Sequence, residues 1–321
     1  DNIAWYGGPI VPYKGAGILE GLPGLDLAEV IRYAKSKGVR LRLWMNWQAA
    51  QAHMDQAFPK YREWGIEGIM IDFMDRDDQE MVNWQRRLLQ KTAENHLTVT
   101  LHGVAKPTGL ERTYPHLLTH EGVLNLEYNK WDKIGCPPEH QVAIPFTRML
   151  AGPLDFHQGS FRGVSVEAFK PRYKAPLVIG TPSRTLASYV VYQNHLPMVA
   201  DYPSAYRGHP GLPMLAKIPT SWDDTKALSG VVGEYIVIAR RHGEDWYLGA
   251  MNDRRPRAVE VPLRFLGSGR YRAEIFADDP QEEKVQRLVR RTEEVGAQDA
   301  LKIGLASAGG YLARLTPLLR K

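Results

Sequence analysis

The chain has 321 residues, 44% hydrophobic and 24% charged, which excludes wholesale disorder and fibrous repeats. No stretch reaches the roughly 20 apolar residues of a membrane-spanning helix, and the single cysteine, Cys136, excludes a disulfide framework and a thiolate-rich metal site. The 41 basic and 36 acidic residues give a net charge of +5; from Lys226 onward 17 basic against 13 acidic residues carry +4 of it, with no dense basic run interleaved with aromatics to track a phosphate backbone.

Asp1-Asn2-Ile3-Ala4-Trp5 reads like the interior of a fold, with a strand near Ile3–Tyr6. Leu27, Val30, Ile31 and Ala34 then recur at helical spacing, with Asp26 at the cap and Glu29 three residues on. Val39–Asn46 reads as a buried strand, and Ala57, Phe58, Tyr61 and Trp64 mark the next helix. Gly68–Phe73 is a second apolar run. The acidic segment Asp75-Arg76-Asp77-Asp78-Gln79-Glu80 opens a helix carrying Met81, Trp84, Leu88 and Leu89, where negative charge complements the helix dipole. Leu97–His102, Val123–Tyr128 and the Phe146–Asp155 region read as further strands. A helix from Pro182 to about Gln193 is capped by Thr181, and Met198–Asp201 closes the series. Strand–helix alternation predicts a parallel α/β fold of the (β/α)8-barrel type over 1–222. The count is seven strands where such a barrel has eight.

The tail changes character. Tyr235–Ala239, Trp246–Ala250, Val259–Leu263, Tyr271–Ile275 and Gly309–Leu315 are short β-runs punctuated by turn residues. They predict a small antiparallel β-sandwich over 227–321, with Ser221–Lys226 as a hinge.

In parallel α/β barrels the working side chains project from the C-terminal ends of the strands. Those ends carry Trp44-Met45-Asn46-Trp47, Asp72, His102 and Glu127. A carboxylate ending an apolar run is costly unless it is paired or used. Asp72 and Glu127 are therefore either helix caps and ion-pair partners or the two converging carboxylates of glycoside hydrolysis. Glu121 and His120 lie close by in sequence, and Thr147-Arg148 and Asp155 bracket a turn in which they could pair. Dinucleotide, phosphate-loop and His-Glu-x-x-His signatures are missing from the sequence.

Five segments carry a resemblance: Gly68 to Gln79, His102 to Pro115, Glu121 to Trp131, Pro145 to Asp155, and Ala239-Arg240-Arg241 with Trp246 to Ala250. Together they resemble glycoside hydrolase family 97 over nearly the whole chain. The resemblance implies an α-glycosidase with a barrel and a C-terminal β-sandwich, and with Asp72 ending the fourth strand, as in the family, the strand missing from the count is the first. It implies Asp72 as nucleophile and Glu127 as acid/base, as in the retaining, α-galactosidase-like branch. Positions that carry water-activating bases in inverting members match Gly103 and, less securely, Gln48. Asp72 and Glu127 are then expected about 5–5.5 Å apart.

The resemblance further implies calcium held by Glu121 and Glu127, and a periplasmic or secreted enzyme acting on an α-galactoside or related oligosaccharide. Trp44, Trp47 and Trp131, together with His102, are the candidate substrate contacts. The family carries a large N-terminal β-sandwich that this sequence lacks. The chain is thus expected to be the C-terminal portion of a longer enzyme, or an oligomer that covers the open barrel edge. Alternatives are an α-glucosidase of the same family and a catalytically impaired carbohydrate-binding fragment.

Overall fold

A computed structural model describes residues 5–6, 17–279, 285 and 287–318. It divides into two compact units. The first comprises residues 1–123 with 151–155, and the second 124–150 with 156–321. The expected domain boundary near Ser221 falls inside the second unit.

The first unit follows its helix signals closely. The Asp26 side chain accepts from the backbone N–H of Glu29 and starts α1 (Leu27–Ser36). Strand β1 (Arg42–Asn46) runs into α2 (Trp47–Trp64), which Asn46 caps and which ends on the left-handed Gly65. Strand β2 (Gly68–Asp72) leads to α3 (Gln79–Glu94), capped by Asp78. Strand β3 (Thr98–Leu101), the short α4 (Leu110–Thr113) and β4 (Leu117–His120) complete the unit.

The strands form one parallel sheet in the order β1-β2-β3-β4. Its core is Leu43, Met45, Ile69, Ile71, Val99 and Leu101. Ala57, Phe58 and Tyr61 of α2 and Met81, Trp84, Leu88 and Leu89 of α3 are also buried. Gly68-Ile69-Met70-Ile71 of β2 is a continuous apolar run, as a buried parallel strand tends to be, whereas β3 alternates Thr98 and Thr100 with Val99 and Leu101.

Several expected strands are corrected. Val123–Tyr128 is not a strand. Asn125 caps the Leu126 N–H at 2.8 Å and accepts the His157 N–H at 2.7 Å, which turns the chain into a 3-10 helix over Leu126–Lys130. The strand of that region is the earlier Leu117–His120, whose signal two histidines obscure. The Phe146–Asp155 region forms 3-10 turns at Ile144–Phe146 and Arg148–Ala151, and only Leu154 bridges to His120. Met198–Asp201 contributes one bridge, from Ala200 to Gly159. The strand near Ile3–Tyr6 lies mostly outside the described residues.

In the second unit, α5 (Pro138–Ala143) is followed by the short parallel pair β5 (Gly163–Val164) and β6 (Val178–Ile179). Thr181 caps α6 (Pro182–Val191), every residue of which is buried. The short helices α7 (Pro203–Tyr206) and α8 (Leu212–Leu215) precede the antiparallel part. That part comprises β7 (Asp224–Val231), β8 (Tyr235–His242), β9 (Asp245–Asn252), β10 (Arg257–Pro262), β11 (Arg270–Asp278), β12 (Leu288–Gly296), β13 (Ala300–Leu305) and β14 (Gly310–Pro317).

Six of these strands form a sheet in the order β12-β11-β14-β9-β8-β7, and β10 pairs with β13. Val261 and Ile303 of the small sheet pack on Val237, Leu248, Ile275 and Leu315. The opposite face, through Tyr247, Phe276 and Leu312, packs on Leu186 and Val190 of α6. Asp224, Thr225 and Lys226 pair with Arg241, Arg240 and Ala239, so half of the expected hinge is strand. The charge-rich β12 and the alternating β13 have no counterpart among the expected runs.

Candidate active site

Register brings the candidate residues of the first unit to one end of its sheet. Asn46 lies opposite Asp72 at the ends of β1 and β2. The ladder then continues past the strands. His102 N donates to Ile71 O at 2.8 Å, Glu121 N to Leu101 O at 2.8 Å, and Asp155 N to His120 O at 2.7 Å. Asp72, His102, Glu121 and Asp155 are therefore successive residues along the C-terminal edge, where parallel sheets hold their chemistry. Beside them a cleft of about 430 Å³ is lined by Asp75, Asp77, Gly103, Ala105, Glu121 and Val123. A larger hollow of about 510 Å³, lined by Trp5, Leu22, Leu27, Val30 and Leu43, holds no carboxylate.

Both oxygens of Asp72 are held. The Phe73 N–H donates to Oδ1 at 2.6 Å, and the Trp44 indole N–H donates to Oδ2 at 3.1 Å. Burial pushes the Asp72 carboxyl above the usual carboxylate range. The His102 charge and the two N–H donors oppose that shift, while Glu121 adds to it. The carboxylate is thus partly desolvated yet supported as an anion, which suits a nucleophile. Phe73 takes φ +63° and Asp75 φ +46°, so the turn after Asp72 is strained.

His102 is 3% exposed, and its Nε2 hydrogen-bonds Asp155 Oδ2. Its Nδ1 lies 3.6 Å from Glu121 Oε1. Burial alone would lower the imidazole pKa; the Asp155 hydrogen bond and the charges of Asp155, Glu121 and Asp72 raise it to about 9. The three carboxylates around His102 thus favour its imidazolium form. Asp155, which the sequence sets against Thr147-Arg148, pairs with His102 instead. Its signal was its place inside Leu154-Asp155-Phe156, an apolar run that tolerates a charge only with a buried partner.

Gly103 takes φ +51°, and a Cβ added there would sit 2.7 Å from Phe73 N and 2.8 Å from Phe73 Cα. Its N–H donates to Glu121 Oε2 at 3.1 Å, and its carbonyl accepts from Asp75 N at 2.6 Å. A side chain at this position is incompatible with the turn that carries Asp72. Gln48 is exposed at the start of α2.

For calcium the donor set is incomplete. The ion takes about 6–8 oxygens, and no group of three or more His, Cys, Asp or Glu side chains that could hold a metal ion is found among the described residues. The Glu121 carboxylate, moreover, already faces the His102 cation. Glu121 and Glu127 do not by themselves fit the ion.

The remaining expected residues are placed as follows. Trp44, expected to stack on a sugar, is 4% exposed, with one ring face against Tyr6 at 6.2 Å and an interplanar angle of 6°. It offers no platform and serves Asp72 instead. Trp47 is half-buried, edge-on to Trp84 at 5.5 Å. Glu127, in the second unit, is half-buried in the first turn of the 3-10 helix. Four residues on, Trp131 is 50% exposed and tilted against Tyr128 at 5.6 Å, which leaves ring surface for a ligand. Cys136 is buried and its thiol is pushed up to about 12, so it is no thiolate nucleophile.

Comparison with known proteins gives the following. Residues 1–123 match the family model described as Glycoside hydrolase 97, and residues 221–316 match Glycosyl-hydrolase 97 C-terminal, oligomerisation. The chain is 38% identical over 303 residues to a retaining alpha-galactosidase of Bacteroides thetaiotaomicron, covering 94% of this chain and 46% of that protein. It is 32% identical over 290 residues to a probable retaining alpha-galactosidase of Streptomyces bingchenggensis, covering 89% and 42%. The chain thus spans about half the length of the curated relatives it matches. Among solved structures, a Glycoside Hydrolase Family 97 enzyme from Pseudoalteromonas sp. strain K8, in complex with acarbose, superposes with a TM-score of 0.88 at 31% identity, covering 99% of this chain and 53% of that one. A beta-arabinopyranosidase structure shares the fold at 24% identity, with a TM-score of 0.78 over 90% of this chain and 48% of that one.

Proposed function

This chain belongs to glycoside hydrolase family 97, and from that premise we propose that it is the catalytic portion of a retaining α-galactosidase. The observation that carries the reading is the strand-end pair Asp72 and Gly103. A carboxylate stands where a nucleophile is needed, and at position 103, which carries a water-activating base in inverting members, the backbone leaves no room for a side chain. The names of the two curated relatives support the galacto-configured substrate.

In the first step Asp72 attacks the anomeric carbon and forms a glycosyl ester, while Glu127 gives its proton to the departing oxygen. In the second step Glu127 takes a proton from water. That water displaces Asp72, and the configuration returns to that of the substrate. His102, held by Asp155, contributes positive charge beside Asp72 and lowers the cost of the buried anion. Trp131 is the sugar platform. Barrel closure around the parallel sheet, self-association of the C-terminal part and a periplasmic or secreted setting belong to this proposal as well; no described helix is long and apolar enough to cross a membrane.

A second reading, α-glucosidase, is favoured by the solved relatives of Pseudoalteromonas, which hold panose and acarbose. Turnover of nitrophenyl α-galactoside against nitrophenyl α-glucoside by the full-length protein separates the two. The proposal expects kcat/KM to favour the galactoside by at least about tenfold, since one buried hydroxyl contact is worth that much or more. Preference for the glucoside selects the second reading.

A further inference from the structure

We propose that Trp44 is a positioning residue for the nucleophile: its indole N–H, fixed by an aromatic column, holds the Asp72 carboxylate in the orientation from which it attacks. The inference rests on the reading of Asp72 as nucleophile and adds a residue to it. Trp44 lies opposite Met70 in the β1–β2 register, two residues before Asp72. Side chains alternate across a strand, so Trp44, Met70 and Asp72 share one face, and the indole reaches diagonally to Oδ2 at 3.1 Å.

The donor is itself immobile. Tyr6 stacks on its ring at 6.2 Å, and Phe73 meets it edge-on at 5.9 Å. Trp5 Nε1 donates to the Trp44 carbonyl at 2.7 Å, and Trp5 in turn lies edge-on to Tyr6 at 5.2 Å. Trp5, Tyr6 and Trp44 are all buried.

Two features make this positioning rather than packing. An indole N–H only donates, so it serves the carboxylate as an anion and has nothing to accept from a protonated acid. The Phe73 N–H holds the other oxygen, so the two donors fix the plane of the carboxylate and leave its remaining lone pairs for the anomeric carbon. A carboxylate held by one donor alone rotates about its last torsion, which is broad.

The test replaces Trp44 by 3-benzothienyl-alanine, in which sulfur stands where the indole N–H was and the ring shape is kept. Trp44→Phe is its genetically simple counterpart, and the isostere carries the test if that variant does not fold. In the full-length protein the inference expects kcat on nitrophenyl α-galactoside to fall about tenfold to a hundredfold, as loss of a hydrogen bond to a charged group implies. KM should stay within about twofold, and the acid limb of the kcat/KM profile should move to higher pH, because a donor to the anion is gone. Unchanged kcat overturns the inference, and so does a fall in kcat without the shift of the acid limb, which a packing defect would give. Asp72→Gly is measured alongside. If that variant keeps wild-type turnover, the nucleophile assignment fails, and the role of Trp44 falls with it.

Discussion

Gly103 and Phe73 occupy the same few ångströms at the end of the sheet, and the space between them is a property of single residues. A methyl group at position 103 would lie 2.7 Å from Phe73 N, closer than side chains approach backbone. Gly103→Ala must therefore either distort its own positive φ or push the strained Phe73 turn, at a cost of about 1–3 kcal/mol. The expected outcome is a lower melting temperature and a kcat reduced by about tenfold or more, because Asp72 moves with the turn; unchanged kinetics would contradict the packing described. With Asp72 as the nucleophile, its protonation sets the acid side of the pH profile. Burial raises its pKa, and the protonated acid is no nucleophile, so activity is lost as pH falls through that raised value. The acid limb of kcat/KM is expected above about 3.9, the ordinary aspartate value, and a limb at or below it would show that the carboxylate is not desolvated in solution. At this scale the sequence disclosed the charge but not its company. Asp72 and His102 are legible as polar residues ending apolar runs, whereas Glu121 reads as preceding a strand over Val123–Tyr128 and in fact follows Leu117–His120. The Trp44 donor and the Asp155 partner are not legible, because each bond crosses from one strand end to another, over 28 and 53 residues.

Elements were legible where a cap or a period fixes them locally. Asp26 and Thr181 each accept from the N–H three residues on, as their spacing implied, and Asp78, legible only as part of an acidic cluster, does the same. Legibility failed where short segments are shaped by side chains from elsewhere. Asn125 holds the His157 N–H and ends any strand before Glu127, and nothing in Val123–Tyr128 reveals His157 as a partner. Within the second unit, Asp278 at the end of β11 plays a comparable role. It accepts from Ser183 Oγ of α6, from Ala306 N at 2.9 Å and from Gly310 N at 3.0 Å. Asp278→Ala leaves two backbone donors and a hydroxyl short of a partner in a buried place. A loss of about 2–4 kcal/mol is expected in urea unfolding. A change within about 0.5 kcal/mol would mean that water takes over those donors.

At the scale of the whole molecule, the expected α/β architecture is present as a parallel sheet with a separate antiparallel part, and the family assignment agrees with the motifs that suggested it. Parallel strands announce themselves by continuous apolar runs, whereas short bridges such as Leu154–His120 carry no such signal. The relatives are about twice as long as this chain, so the measurement that matters is made on the full-length protein. The central claim is a covalent step at Asp72. NMR observation of the first sugar released from an α-galactoside, in wild type and in Asp72→Ala, tests it most directly. The α-anomer is expected as first product, with a kcat at least about a thousandfold lower in the variant. Release of the β-anomer, or an Asp72→Ala variant that turns over at the wild-type rate, would contradict it.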